Sequence, residues 1–379
     1  MKQEKIFVLQ IGMTPNPGGI ESYVMNLYRK IDKNKVQFDF VDWCGEENIA
    51  FSEEIKKLGG RIFKIPTRRD NYLENKRAID KLVGTGKYRY VYNNLNSLSN
   101  ISGVTATDNI VNTIPIIHAH NDSIEKGLLV SKILDKIHKP YVNSQKCIRL
   151  ACSQQAGEWM FPHSKFSVVA DSIDTTLFEY SESIRKHYRH MLNIENKFVV
   201  GSVARFSPQK NISFLIDVFK KICEKKKNVV LVLVGDGSQK KLIKAKVFKY
   251  HLEDKVIFLG TRNDTSSLMQ AMDAMVAPSV FEGFGMSVLE AQCSGLPCYV
   301  SDAFNDEVIQ TTLVKKIPLT DTALEWATLI ISDLSFFKEK RVSYSSVIRE
   351  NGYDSEQVAN GLTDKFINGF TGGRQGESR

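Results

Sequence analysis

No apolar run in this 379-residue sequence approaches the roughly 18 residues that a bilayer crossing needs. The longest aliphatic stretches, such as Val229–Val234, have the length of a strand, so a membrane-spanning chain is not expected. Cysteine is sparse, six in all, and none forms a C-x-x-C pair, which argues against a disulfide framework or a zinc ribbon and for a reducing, cytosolic compartment. Ten prolines and 24 glycines exclude collagenous and low-complexity architectures, and no internal repeat is evident. The N-terminus MKQEKIFVLQIG follows its charges with only a short apolar run, too short for a signal-peptide core, and reads as a buried first strand. D-x-D is absent, as are an aromatic platform and a helix-turn-helix signature for nucleic acid.

The sequence does hold 42% hydrophobic and 25% charged residues, the composition of a globular chain. Its length favours two domains, because single cores rarely grow past about 250–300 residues. Lys and Arg number 51 against 43 Asp and Glu, a net charge of +8 concentrated in residues 1–150 and 201–250. A basic field of this kind attracts nucleic acid, an anionic membrane surface or phosphorylated small molecules, and charge alone does not choose. The Lys-rich runs 221–228 and 239–249 read first as solvated helix faces.

Strand-like runs alternate with segments of helical period, the pattern that builds parallel sheets from β-α-β units. IFVLQI leads to the Gly18-Gly19 pair and then to Ile20, Val24, Leu27 and Ile31 on one helix face. Further strands are expected at 37–43, 61–65, 88–92, 115–119, 149–153 and 166–170, completing one α/β domain by about residue 175. A strongly charged stretch follows, and the pattern restarts at KFVVGSVA (197–204), with strands at 229–235, 256–260, 274–278 and 297–301. Helices are expected between them at 211–223, 264–273 and 287–294. These strand-like units make a second doubly wound domain, and amphipathic helices close the chain before a patternless tail, TGGRQGESR.

Ligands of open α/β sheets bind outside the carboxyl ends of the strands, so the loops there matter most. APSVFEGFGMSVLEAQ places Glu282 in a loop and Glu290 eight positions on, with Gly283 and Gly285 permitting close backbone approach. Carboxylates accept from sugar hydroxyls, and the amides of Met286 and Ser287 at a helix start suit phosphate oxygens. Ser287 to Glu290 is also a capping box in its own right, a purely structural alternative for Glu290, whereas Glu282 has no evident structural role. In SVARFSPQK, Arg205 and Lys210 stand beside a helix start as a diphosphate clamp, although any one surface cation is ordinarily just that. NPGGIESY offers a Gly pair without G-x-G-x-x-G spacing, which by itself only turns the chain. HAHND puts His118 and His120 on one strand face. No third His or carboxylate stands at ligand spacing, so hydrogen bonding to substrate is favoured over a metal, and a buried structural role for His118 over both.

Together, in this order, these elements resemble the retaining glycosyltransferases of the GT-B fold, in the large fourth family of sequence classifications, and more narrowly the bacterial capsular and exopolysaccharide enzymes. The resemblance rests on Gly18, Gly19 and Glu21, on Arg205 and Lys210, on Glu282 and Glu290, and on HAHN and RLACSQQAGEWMF. It covers residues 6 to about 310. It implies two Rossmann-like domains facing across a cleft: 1–180 for the acceptor, 181–353 for the nucleotide sugar, and a helix in 354–379 that packs back towards the first domain ahead of a flexible tail. It also implies transfer from a UDP-sugar to a hydroxyl of a saccharide or lipid-linked saccharide, with retention and without metal or cofactor. His120, Arg205, Lys210 and Glu282 would carry catalysis; Gly18, Gly19, Arg205, Lys210, Arg262, Glu282, Phe284, Gly285, Met286, Ser287 and Glu290 would hold the donor.

Two departures from the family pattern stand out. Ala170-Asp171-Ser172-Ile173-Asp174 replaces the usual P-N-G-I-D at the domain link, and Ala204 replaces a Gly before Arg205; neither is expected to touch a charge in the site. The basic stretch TRRDNYLENKRAIDKL (67–82) is expected to meet anionic lipid at the inner face of the cell membrane. A UDP-sugar epimerase or a phosphorylase shares the architecture but needs residues not evident here, and a nucleic-acid binder lacks its signatures. The main alternative is a non-catalytic partner subunit, which would be expected to lose Lys210 or the paired acids.

Overall fold

A computed structural model of the chain describes residues 4–122, 124, 129–333 and 341–370; the tail expected at 371–379 lies outside them. The chain forms two compact units, the first comprising residues up to Ser172 together with those from Tyr353 onward, the second Ile173–Gly352. The division thus falls at Ser172 rather than at 180. Residues 173–181 are bonded into the second unit: Arg349 Nη2 donates to Thr175 Oγ1 at 2.9 Å, and Ser181 N to Gln270 Oε1 at 2.8 Å.

In the first unit the strands are β1 (Ile6–Ile11), β2 (Val36–Asp42), β3 (Ile62–Lys64), β4 (Tyr90–Leu95), β5 (Ile114–Ala119), β6 (Ile148–Ala151) and β7 (Ser167–Val168), all parallel in the order β3-β2-β1-β4-β5-β6-β7. Between them run α1 (Gly19–Lys30), α2 (Ser52–Lys57), α3 (Tyr72–Val83), α4 (Ser102–Thr105), α5 (Leu129–Ser144) and α6 (Gln154–Met160). The second unit adds α7 (Glu182–Met191), β8 (Phe198–Val203), α8 (Ile212–Lys225), β9 (Val229–Val234), α9 (Lys240–Lys249), β10 (Val256–Gly260), α10 (Thr265–Ala271), β11 (Ala274–Ala277), α11 (Met286–Cys293), β12 (Cys298–Ser301), β13 (Val314–Ile317), α12 (Ala323–Asp333) and α13 (Ser345–Glu350). Its sheet is also parallel, in the order β10-β9-β8-β11-β12-β13. The strand that no apolar run announces is β13, whose sequence VKKI carries two exposed lysines, as an edge strand tolerates.

The two sheets are built as buried parallel sheets require. β9 reads VVLVLV with every residue buried, because helices cover both faces. In the second unit Ile216, Phe219 and Ile222 of α8 pack with Trp326 and Ile330 of α12 over Leu231 and Leu233. In the first, Tyr23, Val24 and Leu27 of α1 cover Val8, Phe38 and Tyr92. The chain returns to this core at its end. α14 (Ser355–Asn368), capped by Asp354 accepting from Glu356 N and Gln357 N, lays Ala359, Leu362 and Phe366 into the same cluster.

Phe366 is fully buried, with its ring 5.2 Å from that of Tyr90 and 6.1 Å from that of Phe38. Phe366→Ala is expected to cost roughly 3–5 kcal/mol by loss of transfer energy and creation of a cavity. In calorimetry this lowers the transition of the first unit and spares the second; an unchanged trace would mean that α14 is not part of that core.

Candidate functional site

Each sheet reverses its winding once, between β1 and β4 in the first unit and between β8 and β11 in the second, and a crevice opens at the carboxyl ends beside such a reversal. In the second unit the loops after β8 and β11 are the ones that carry Arg205, Lys210 and Glu282, and they are laced together. Val280 N donates to Gln209 O at 2.7 Å, Gln209 Nε2 donates to Phe281 O at 3.0 Å, and Lys210 Nζ lies 2.6 and 2.7 Å from the two carboxylate oxygens of Glu282. Glu282, 8% exposed, therefore does have a structural role, since it neutralises a cation presented by the neighbouring strand end. Arg205 is exposed and forms no ion pair among the described residues.

The helix that follows Glu282 starts differently from the sequence expectation. Its N-cap is Gly285 at φ 95°, a left-handed conformation, and a Cβ there would meet the Phe304 ring at 2.6 Å, so only glycine fits. Ser287 lies inside the first turn of α11 and no side chain caps the helix, so the capping box of Ser287 and Glu290 is not formed. The first N–H groups, those of Met286 and Ser287, lack carbonyl partners, as at any helix start. Glu290 is left with no side-chain hydrogen bond among the described residues. It keeps some solvent contact, yet dense surrounding protein pushes its carboxyl up to about 8 through loss of hydration. A half-buried acid without donors is poised to accept from hydroxyls brought by a ligand. Phe284 is buried under this loop, and Arg262, after β10, is an exposed residue forked onto Asp264 at 2.8 and 2.6 Å.

A third loop of this crevice escaped notice in the sequence. Gly235-Asp236-Gly237 follows β9 and binds the Arg205 loop: Phe206 N donates to Asp236 O at 2.8 Å, and Gln239 N to Phe206 O at 2.9 Å. A Cβ on Gly235, at φ 133°, would lie 2.0 Å from Ala204 O. The signal was present in the Gly-Asp-Gly directly after the VVLVLV strand.

In the first unit, Gly18 caps α1 and Gly19 opens it; a Cβ at Gly19 would meet nothing within 4 Å, so space remains above that helix start. Glu21 is buried and accepts from Thr14 N and Thr14 Oγ1, both at 2.8 Å, which holds the loop after β1 in place. His118 and His120 do share a face, with ring centroids 4.2 Å apart. His118 is fully buried, joined through Nδ1 to Tyr92 Oη at 3.0 Å, which in turn meets Tyr23 Oη at 3.0 Å; burial drives its pKa well below the usual imidazole value, so it is neutral.

His120 differs from its neighbour in its partners. Asn94 commits its Nδ2 to Gln10 Oε1 and Ile11 O, leaving Oδ1 to face His120 Nε2 at 3.2 Å. Nε2 is therefore the protonated nitrogen, and Nδ1 points at Asp171 Oδ1, 3.5 Å away. This corrects two expectations. A carboxylate does stand beside the His pair, brought by the fold rather than by spacing, and the altered link sequence does place a charge at the candidate site. Cys152 joins this group, with ligand atoms of all three residues within 4.8 Å of one another. A tetrahedral zinc shell would set its ligands about 3.4–3.8 Å apart.

Residues 184–312 match the family model described as Glycosyl transferases group 1. A Bacillus subtilis (strain 168) protein, EpsF, named as a glycosyltransferase, is 30% identical over 374 residues, covering 96% of both chains. An Escherichia coli UDP-Gal:alpha-D-GlcNAc-diphosphoundecaprenol alpha-1,3-galactosyltransferase is 34% identical over 145 residues, 36% of this chain and 37% of that one. Among solved structures, Anabaena Alr3699/HepE in complex with UDP-glucose superposes with a TM-score of 0.78 at 21% identity, covering 96% of this chain and 100% of that one.

Two measurements check the electrostatics. Removing either member of the Lys210–Glu282 pair strands its partner, so Lys210→Ala and Glu282→Ala should each destabilise by roughly 1–3 kcal/mol while the double variant costs less than their sum. Strict additivity in urea unfolding would dismiss the pair. Glu290 keeps its proton in the folded state to about pH 8 but loses it near the ordinary carboxylate value when unfolded, so it subtracts stability as pH rises through that window. Glu290→Gln should therefore gain on the wild type from pH 5 to pH 8, and a pH-independent difference would contradict the assignment.

Proposed function

The chain belongs to the group 1 glycosyl transferases, and we propose that it takes a UDP-sugar as donor and transfers the sugar, with retention, to a hydroxyl of a saccharide or lipid-linked saccharide in cell-surface polysaccharide synthesis. The observation that carries this reading is the crevice of the second unit. There an Arg205 without an ion pair among the described residues, a Lys210 held by Glu282, the helix start at Gly285 and a Glu290 without donors in α11 stand on the segments that follow β8 and β11 at one sheet reversal. The UDP-glucose held by a structure of the same fold supports it, as does the donor and lipid-linked acceptor in the name of the Escherichia coli relative.

In this reading Arg205 and Lys210 neutralise the diphosphate, Glu290 accepts from the ribose hydroxyls, and Glu282 contacts the donor sugar while orienting Lys210. The N–H groups of Met286 and Ser287 receive phosphate oxygens, with Gly285 allowing the approach and Phe284 fixing the loop beneath. Arg262 lies towards the base. The bond from the anomeric carbon to the diphosphate oxygen breaks as the acceptor oxygen bonds the same face, and the acceptor proton passes to a phosphate oxygen of the departing UDP. Charge on the leaving group is met by fixed cations, so the reading requires neither a covalent nucleophile nor a metal. A non-catalytic partner subunit is the competing reading; the intact Arg205, Lys210 and acid pair weigh against it.

The test is thermal unfolding with UDP, GDP, ADP and their sugar conjugates. At a hundred times the dissociation constant a ligand of the native state alone adds about 2.7 kcal/mol of stability. UDP-type ligands are expected to raise the melting point of the wild type and of Lys132→Glu, but not of Arg205→Ala or Glu290→Ala. A folded wild type that responds to no nucleotide would hand the lead to the partner-subunit reading.

A further inference from the structure

Most apolar side chains left on a monomer surface are scattered, but α5 exposes a contiguous set. Leu129 is 68% exposed, Val130 70%, Ile133 50% and Ile137 61%. At 100° per residue these four occupy one arc of the helix, and Lys132 and Lys136 border it along one side. The apolar stripe thus points outward while the opposite side, with Asp135 and Val142, is buried. Across a shared depression of about 440 Å³, lined by Arg68, Tyr72 and Lys76 on one side and Leu134, Ile137 and His138 on the other, stands the start of α3. It adds Tyr72 at 51% exposure and Leu73 at 61%.

We infer that the outer face of α5, with the first turn of α3, is a bilayer-docking surface for anionic phospholipid. An interfacial helix needs an apolar face that enters the acyl boundary and cations that meet the headgroups. From Leu129 to Ile137 the helix runs about 12 Å at 1.5 Å per residue, so it lies along the surface and does not span it. No helix among the described residues is long and apolar enough to cross a membrane. Lys132 and Lys136, with Arg69 just before α3 and Arg77 within it, form no ion pair among the described residues, whereas the neighbouring acid Asp70 is engaged by Thr67; Glu74 is the one exposed acid left on that turn. A second copy of the chain docking by two-fold symmetry would bring these cations against themselves, which disfavours that occupant.

The surface also revises which cations matter. Arg68 is half-buried and donates through Nη1 to Ser99 O at 3.0 Å, so it is held by the protein and serves the wall of the depression more than the rim. The inference deepens the acceptor half of the proposed function: a saccharide on a lipid carrier is reached by an enzyme that rests on the leaflet. It does not depend on the donor being a UDP-sugar.

The experiment is flotation of the full chain with phosphatidylcholine vesicles, with and without phosphatidylglycerol, at low and high salt. The wild type should float with the anionic vesicles and release in salt. A cation near the surface contributes about 1 kcal/mol, roughly fivefold in partitioning, so Lys132→Glu with Lys136→Glu should lower binding more than tenfold. Ile133→Ser with Ile137→Ser should weaken binding to the same vesicles without altering its salt dependence. All four residues lie outside the donor crevice, so each variant keeps the UDP-induced thermal shift; loss of that shift in the wild type would sink the donor reading and leave this one standing. The inference is overturned if the wild type does not float, if neither pair changes flotation, or if Ile133→Ser with Ile137→Ser changes only the oligomeric mass.

Discussion

The second unit turns on one ion pair between two strand ends. Lys210 and Glu282 come from loops 72 positions apart, meet at 2.6 Å, and make each loop the condition of the other's shape. Without Glu282 the ammonium has no reason to stay at the rim; without Lys210 a nearly buried carboxylate would lose its counter-charge. The hydrogen bonds of Gln209 to the backbone at 280 and 281 fix the register at which they meet. Arg205, Gly285 and Glu290 then inherit their positions from loops already locked. A site meant to meet a charged leaving group gains most when its charges are set before the ligand arrives, because reorganisation is then avoided.

The two acids of this crevice show how partners set the state of a side chain. Glu282 faces an ammonium and serves as its fixed counter-ion. Glu290, one turn into α11, faces dense protein with no donor, and its carboxyl is raised to about 8. In the reading proposed above, the hydroxyls of a bound ribose supply those donors, so the ionised form becomes favoured as the ligand enters.

The strands of the first unit and most of those of the second were legible in the sequence because parallel sheets demand unbroken apolar runs, as in VVLVLV, and because glycines punctuate their ends. β13 was not legible, since an edge strand needs no apolar run and VKKI has none to offer. The capping box at Ser287 and Glu290 failed for a related reason. Spacing can nominate a cap, but the left-handed turn at Gly285, where a Cβ would strike Phe304, started the helix one residue earlier. Long-range placements were the least readable. Nothing in the spacing of HAHN announces that Asp171, 51 positions beyond His120, closes on its ring, or that Gly235-Asp236-Gly237 braces the Arg205 loop.

The same limit applied to the basic residues. Read along the chain, the cations of 67–82 look equivalent, and the lysines of α5 do not stand out. The fold separates them. Arg68 is engaged by the carbonyl of Ser99 and Lys76 by Asp80, while Lys132 and Lys136 flank apolar residues that the core does not cover. Charge next to buried polar partners stabilises a loop; charge next to exposed apolar surface is shaped for a medium that is itself apolar beneath an anionic boundary. The docking inferred above rests on that juxtaposition and not on the net charge of +8.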